Sequence, residues 1–341
     1  MIIDDSAVAR QIFERIVNGT GKFEAVAKAS CARDALEQLA DISVDFILLD
    51  IEMPGMNGID AIPLLREASD NAPILILSSH WAEGAGSSVR AMTLGASDVL
   101  LKPGARSFGG QFATALEAAM TRIAADLEAL PSVSPLTAVV STDILARPVK
   151  CVAIGASTGG LHALNGFFSA LPRDIAMPIL VTQHLPSDFI GYFATQLEFL
   201  TGRSVCVAQH GQRVLPAMVL VAPGEMHLTV AQRDGDVRVV LHPKTNPSAA
   251  CPSVDPMLES VAEVYGTDAV GVVLSGMGRD GAVGARALAE RGGRLLVQDR
   301  ESSVIWGMPG AIADQGIAHL IAPPCELARR IATRARTFGW S

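Results

Sequence analysis

At 341 residues, 49% of them hydrophobic and 18% charged, the chain exceeds what one hydrophobic core serves and is too apolar for a disordered protein, so about two folded domains are expected. Its formal net charge of −8 is concentrated at the front, where residues 1–103 hold 15 acidic against 8 basic side chains and the rest of the chain 20 against 19. No Lys/Arg run supplies the basic patch that nucleic acid requires, the apolar runs are only strand-length, and no basic segment precedes an apolar one at the start, so nucleic-acid binding, membrane insertion and export are not expected and a cytoplasmic protein is. Cys31, Cys151, Cys206, Cys251 and Cys325 are odd in number, widely spaced and never CxxC, which favours small buried hydrophobes over a disulfide framework or a zinc site.

Residues 1–128 alternate short apolar runs with helical patterns, the signature of repeated βα units. Strands are expected at residues 1–3, 24–28, 44–49, 73–77 and 98–101, which fits a flavodoxin-like (βα)5 sheet with its ligand site outside the carboxyl ends of the strands. Asp4 and Asp5 follow the first of these runs, Asp50 the third, Ser78 the fourth and Lys102 the fifth, so all five side chains converge on one edge. Three carboxylates at close quarters repel one another unless a hard divalent cation sits among them, and Mg²⁺ prefers such oxygen ligands. A carboxylate held in this way, with an ammonium and a hydroxyl nearby, is suited to attack a phosphoryl group, and Asp50 is best placed to do so. Any single acid at such a turn reads equally well as a helix cap, which suits Asp34 and Asp60.

The segments Ile3-Asp4-Asp5-Ser6, Leu49-Asp50-Ile51-Glu52-Met53-Pro54-Gly55-Met56-Asn57-Gly58 and Leu101-Lys102-Pro103-Gly104 resemble the receiver domains of two-component response regulators. That resemblance implies phosphorylation of Asp50 by a histidine kinase, Mg²⁺ held by Asp4, Asp5 and Asp50, a switch hydroxyl at Ser78 and a phosphoryl contact from Lys102. Receivers carry several more residues ahead of the acidic pair, so the expectation here is a shortened or misassigned first strand, with added apolar residues ahead of Met1 raising stability.

Residues 129–149, rich in Pro and Ser and without helical period, are expected to be a linker. From 150 to 341 a second, largely parallel, doubly wound α/β domain is expected, with strands at 151–154, 179–182, 219–221, 269–274 and 294–297. A hairpin is expected between 227–231 and 237–241 across Asp234-Gly235-Asp236.

The loop Gly155-Ala156-Ser157-Thr158-Gly159-Gly160 sits between the first strand of this half and a helix, and three readings compete for it. As a dinucleotide loop it fails at Ser157, which occupies the position where a second glycine must let the pyrophosphate approach. As a plain turn it needs nothing more than small residues and a cap. As a nucleophile elbow it exposes the Ser157 hydroxyl, leaves helix-start N–H groups for an oxyanion, and requires a histidine and an acid. His184, after the next strand, is the favoured base; His162 lies one turn into the helix and His227 is a pocket residue at most. Asp280, in the glycine-rich loop Ser275-Gly276-Met277-Gly278-Arg279-Asp280-Gly281, is the candidate acid, although alone it reads as the N-cap of a helix over 282–291.

Those segments, with Gln183-His184-Leu185-Pro186, Ala222-Pro223-Gly224, Pro252-Ser253-Val254-Asp255 and Trp306-Gly307-Met308-Pro309-Gly310-Ala311, resemble the chemotaxis protein-glutamate methylesterases. The order receiver, linker, hydrolase is also theirs, and Cys251 departs from the pattern where the family has an arginine. The resemblance implies a Ser157, His184, Asp280 triad, oxyanion donors near Thr158 and Met277, and no cofactor for the esterase half. It implies a substrate in the γ-glutamyl methyl esters of methylated chemoreceptor cytoplasmic helices, together with deamidation of receptor glutamines. It further implies that the unphosphorylated receiver covers the esterase cleft and that phosphorylation releases it.

Overall fold

The computed structural model describes residues 1–78, 85–103, 110–128, 149–243 and 250–337. The expected linker lies, but for Val149, outside the described residues. The chain divides into two compact units, Met1–Ala129 and Leu130–Ser341.

In the first unit the elements run β1 (Ile2–Ile3), α1 (Ala7–Gly19), β2 (Lys28–Ala29), α2 (Ala32–Leu39), β3 (Ile47–Asp50), α3 (Gly58–Ala68), β4 (Ile74–Ser78), α4 (Ala85–Thr93), β5 (Asp98–Leu101) and α5 (Gly110–Glu128). The five strands are parallel in the order β2-β1-β3-β4-β5, the flavodoxin-like arrangement. β3 and β4 are buried along their whole length, as expected of strands covered on both faces, and so read as unbroken apolar runs. The strand expected at 24–28 is confined to Lys28–Ala29, because its partner β1 offers only Ile2 and Ile3 for pairing.

Helix starts follow local chemistry. Ser6 caps α1 by accepting from the Ala9 N–H, and Asn57 caps α3 by accepting from the Ile59 N–H. Asp34, in the first turn of α2, accepts from the Ser30 N–H in the manner of a cap, whereas Asp60 reaches across to Arg90 at 2.9 Å and leaves the capping of α3 to Asn57.

The second unit contains β6 (Cys151–Ala156), α6 (Gly160–Ala170), β7 (Ile179–Gln183), α7 (Ser187–Thr201), β8 (Val205–Val207), β9 (Val219–Val221), β10 (Met226–Arg233), β11 (Asp236–Pro243), α8 (Val254–Tyr265), β12 (Ala269–Val273), α9 (Ala282–Glu290), β13 (Arg294–Gln298), α10 (Gly307–Ala313), β14 (Leu320–Ala322) and α11 (Pro324–Thr337). Seven parallel strands are ordered β14-β13-β12-β6-β7-β9-β8, and β10-β11 form the expected antiparallel hairpin apart from them. Its turn places Asp234 at φ 51° and Gly235 at φ 85°, the left-handed pair that a two-residue hairpin requires. Strand order reverses between β6 and β12, so the carboxyl ends of β7, β6 and β12 stand side by side at the switch point where doubly wound sheets bind ligands.

Phe13 of α1 is fully buried, with its ring centroid 6.0 Å from that of Phe112 on α5 and Lys102 Nζ 5.9 Å away. Truncation leaves a cavity beneath the acidic edge, and Phe13→Ala is expected to lower receiver stability by about 3–5 kcal/mol in urea unfolding. A loss below about 1 kcal/mol would contradict this packing.

Candidate active site and phosphoacceptor pocket

In the first unit Asp4 follows β1, Asp50 ends β3, Ser78 ends β4 and Lys102 follows β5, four positions on adjacent strands. Lys102 is the hub: its Nζ lies 2.7 Å from Asp4 Oδ2 and 2.9 Å from Asp50 Oδ1, and its backbone N–H donates to Ser78 O at 2.7 Å. Asp4 and Asp50 are buried while Asp5 is exposed. Carboxylate oxygens of Asp4, Asp5 and Asp50 all lie within 4.8 Å of one another. Burial pushes the Asp50 carboxyl above its ordinary range and Asp4 adds to the rise, against the pull of Lys102 and the Glu52 N–H. A hard, all-oxygen donor set with excess negative charge fits a divalent cation such as Mg²⁺.

In the second unit the candidate residues extend three adjacent strands. β6 is buried throughout and ends at Ala156; Ser157 then opens a turn in which Gly159 takes φ 74°, where a Cβ would lie 2.5 Å from Val304 and 2.7 Å from Ser275 Oγ. The glycine therefore serves the turn itself. Ser157 N donates to Ser275 O, His184 N to Ala156 O and Leu274 N to Gly155 O, tying the three strand ends together. Gln183 adds a further tie, its Nε2 donating to Ser157 O and to His184 O.

His184 Nε2 lies 2.7 Å from Asp280 Oδ2. Both side chains are half-buried, as are Ser157, Thr158 and Met277. The other ring nitrogen, Nδ1, remains for a proton donor. The hydroxyl of Ser157 has no hydrogen-bond partner among the described residues, and neither do the N–H groups of Thr158 and Met277, so these three donors are uncommitted. His162 falls on α6, and His227, on β10, accepts from the Ser253 N–H through Nδ1.

Of the two readings of Asp280, the cap of the following helix is not what the structure shows. Gly281 stands at the N-cap of α9 and contributes no side chain, while the Asp280 carboxylate turns to the start of α8. It accepts from Ser253 Oγ at 2.6 Å, from Val254 N at 2.7 Å and from Asp255 N at 3.4 Å. Burial opposes its charge, but His184, Ser253 and the Val254 N–H outweigh burial and hold the carboxyl well below the usual range. The anchoring by Ser253 was not legible in the sequence beyond the position of Pro252-Ser253-Val254-Asp255 among the notable segments.

Two α/β units, one with a Ser, His, Asp constellation at its switch point and one with a lysine-bridged acidic edge, define a hydrolase-like domain behind a response receiver. A profile for the CheB methylesterase matches residues 152–331 and one for the response regulator receiver domain matches residues 1–108. The chain belongs to the CheB methylesterase family. It is 38% identical, over 99% of both chains, to protein-glutamate methylesterase/protein-glutamine glutaminase 2 of Caulobacter vibrioides. It is 34% identical to the protein of that name from a Nocardioides species, over 98% of this chain and 94% of the relative. The crystal structure of the Thermotoga maritima CheB methylesterase catalytic domain is similar with a TM-score of 0.53 at 33% identity, covering 55% of this chain and 99% of that one. Receiver domains in general use a divalent metal for phosphorylation, in line with the acidic edge. Among the described residues no helix is long and apolar enough to cross a membrane.

A carboxyl whose folded-state pKa lies above its unfolded value stabilises the fold below the unfolded value and loses that contribution as pH rises through the folded one. At neutral pH the Asp50 charge thus works against folding. Asp50→Asn is expected to raise the receiver transition in full-chain calorimetry at pH 7 without Mg²⁺, with the gain closing as pH falls toward about 4. An unchanged or lowered transition would contradict the burial argument.

Proposed function

We propose that this chain is a receiver-controlled protein-glutamate methylesterase that hydrolyses γ-glutamyl methyl esters on the cytoplasmic helices of chemoreceptors, with Ser157 as nucleophile, His184 as base and Asp280 as the acid that orients it. The observation that carries this reading is the 2.7 Å bond between His184 Nε2 and Asp280 Oδ2, on two loops that flank the Ser157 turn. Neutral His184 donates Nε2–H to Asp280 and keeps Nδ1 bare. Nδ1 then takes the Ser157 proton as Oγ bonds to the ester carbonyl carbon, and the charge that develops on the carbonyl oxygen is met by the N–H groups of Thr158 and Met277. His184 returns the proton to the methoxide as the C–O bond breaks, methanol leaves, and a water repeats the sequence on the acyl-enzyme. Asp280 holds the imidazolium between these proton transfers without taking the proton itself, in keeping with its depressed pKa.

The relatives' names also contain a glutaminase activity, and the same acyl transfer with ammonia leaving makes this chain a deamidase of receptor glutamines. Ammonia is the poorer leaving group, so this reaction leans harder on proton delivery by His184.

In the receiver, Asp50 is the phosphoryl acceptor from a histidine kinase, Lys102 the cation that meets the phosphoryl oxygens, and Ser78 the hydroxyl that senses them. Asp4, Asp5 and Asp50 would hold Mg²⁺, which supplies charge neutralisation for the incoming phosphoryl group. Phosphorylation replaces the Asp50 carboxylate oxygen that Lys102 contacts with more strongly anionic phosphoryl oxygens, and this local change biases the receiver between two states whose difference relieves inhibition of the esterase. The substrate's location makes the protein cytoplasmic.

Ser157→Ala is expected to lower methanol release from methylated receptor membranes by at least about 10³-fold while the fold, read by circular dichroism, is retained. A rate within tenfold of the parent would refute the assignment. A small acyl phosphate is expected to raise the parent's rate and to leave Asp50→Asn unchanged; equal gains in both would remove Asp50 from the regulatory role.

A further inference from the structure

The first turns of α8 and α9 are capped by each other's acids. Asp280, just ahead of α9, accepts from the Val254 and Asp255 N–H groups of α8. In return Asp255, in the first turn of α8, accepts through Oδ1 from Val283 N at 2.9 Å and Gly284 N at 2.8 Å in α9. Neither helix has a side-chain cap from its own N-cap residue, Ser253 or Gly281. The approach is close: a Cβ on Gly284 would lie 2.5 Å from Asp255 O and 2.8 Å from Leu258 Cβ, so only glycine allows the two helix starts to meet.

We propose that Asp255 is a positioning residue for the esterase: by capping α9 it fixes the loop that carries Asp280. The proposal rests on the reading of Asp280 as the acid partner of His184. Two features separate it from ordinary helix capping. Each acid is bound to the helix whose position decides where the other acid points, so the pair is closed on itself and neither helix start can shift without moving Asp280. The two carboxyls also interact directly: burial raises the proton affinity of Asp255, the Asp280 charge raises it further, and the Gly284 and Val283 N–H groups oppose both.

Asp255 faces Asp280, on the loop after β12, and the backbone N–H groups of Val283 and Gly284 at the start of α9.

The test is the plateau rate, over pH, at which a fluorophosphonate phosphonylates Ser157 in the full chain with release of fluoride, a reaction that needs His184 as base and no receptor. In Asp255→Asn the side-chain carbonyl still accepts from Val283 and Gly284 but the charge is gone. Its plateau rate is expected to stay within about threefold of the parent, because the cap that places Asp280 is kept. In Asp255→Ala the cap is lost as well, and the plateau is expected to fall by about tenfold or more as Asp280 loses its place. Asp280→Asn is the reference, with a plateau at least about a hundredfold down. Parental behaviour of Asp280→Asn would overturn the reading of Asp280 itself. With Asp280→Asn impaired, an Asp255→Ala plateau within twofold of the parent, or an Asp255→Asn plateau as low as that of Asp255→Ala, would overturn the role of Asp255 alone. Should Asp255→Ala fail to fold by circular dichroism, Asp255→Glu, whose longer side chain keeps the charge but displaces the cap, is measured in its place with the same expectation.

Discussion

The catalytic half depends on one carboxylate. Asp280 sits at the end of a glycine-rich loop that has little rigidity of its own, yet its two oxygens are engaged by four donors: the imidazole of His184, the hydroxyl of Ser253 and the N–H groups of Val254 and Asp255. Three of the four come from the start of α8. The helix N-terminus supplies the positive end of its dipole and unpaired N–H groups, which is why a half-buried carboxylate there remains charged and a strong partner for imidazolium. With Asp280 held, the orientation of His184 follows. The other nitrogen, Nδ1, is then the one available for the proton transfer proposed for Ser157.

The sheet supplies the rest. β7, β6 and β12 are neighbours, so Ser157 and His184, 27 positions apart in the chain, emerge from adjacent strand ends, as the pairing of Ala156 with Gln183 fixes, and the loop after β12 brings in Asp280, 96 positions from His184. The receiver solves a related problem with the opposite charge balance. There the acids outnumber their cation, and Lys102 divides itself between Asp4 and Asp50 in a buried edge. Burial of Asp50 leaves its charge poorly compensated, and a site in that condition responds to a metal or a phosphoryl group with a change in local bonding. The energetic discomfort of Asp50 and the comfort of Asp280 match the tasks proposed for them: one is to be modified, the other to stay put.

Much of this was legible in the sequence because parallel strands buried on both faces are continuous apolar runs that end abruptly at polar residues. That pattern located β3, β4, β6, β7 and β12, and with them Asp50, Ser78, Ser157 and His184. It missed the two edge strands β8 and β14, of three residues each, although it found the equally short but fully buried β9, and β2 is held to two residues by its partner. At Asp280 it left two readings open, the acid partner of His184 and a local cap, because an acid one residue ahead of a glycine and a helix looks like the latter. Capping is a local rule only when the nearest N–H groups belong to the same helix. Here α8 and α9 exchange caps, an arrangement set by tertiary contact at Gly284, and so Ser253 and Asp255 gave no signal of their part in the site.

The claim that Asp280 organises the hydrolase through Nε2 of His184 is tested most directly by nitrogen-15 NMR of the histidine side chains in the full chain at a pH where His184 is neutral. The account predicts that the His184 proton resides on Nε2, with a downfield proton resonance that disappears in Asp280→Asn, and that Nδ1 is bare. A proton on Nδ1 in the parent, or a His184 signal that Asp280→Asn leaves unchanged, would contradict it.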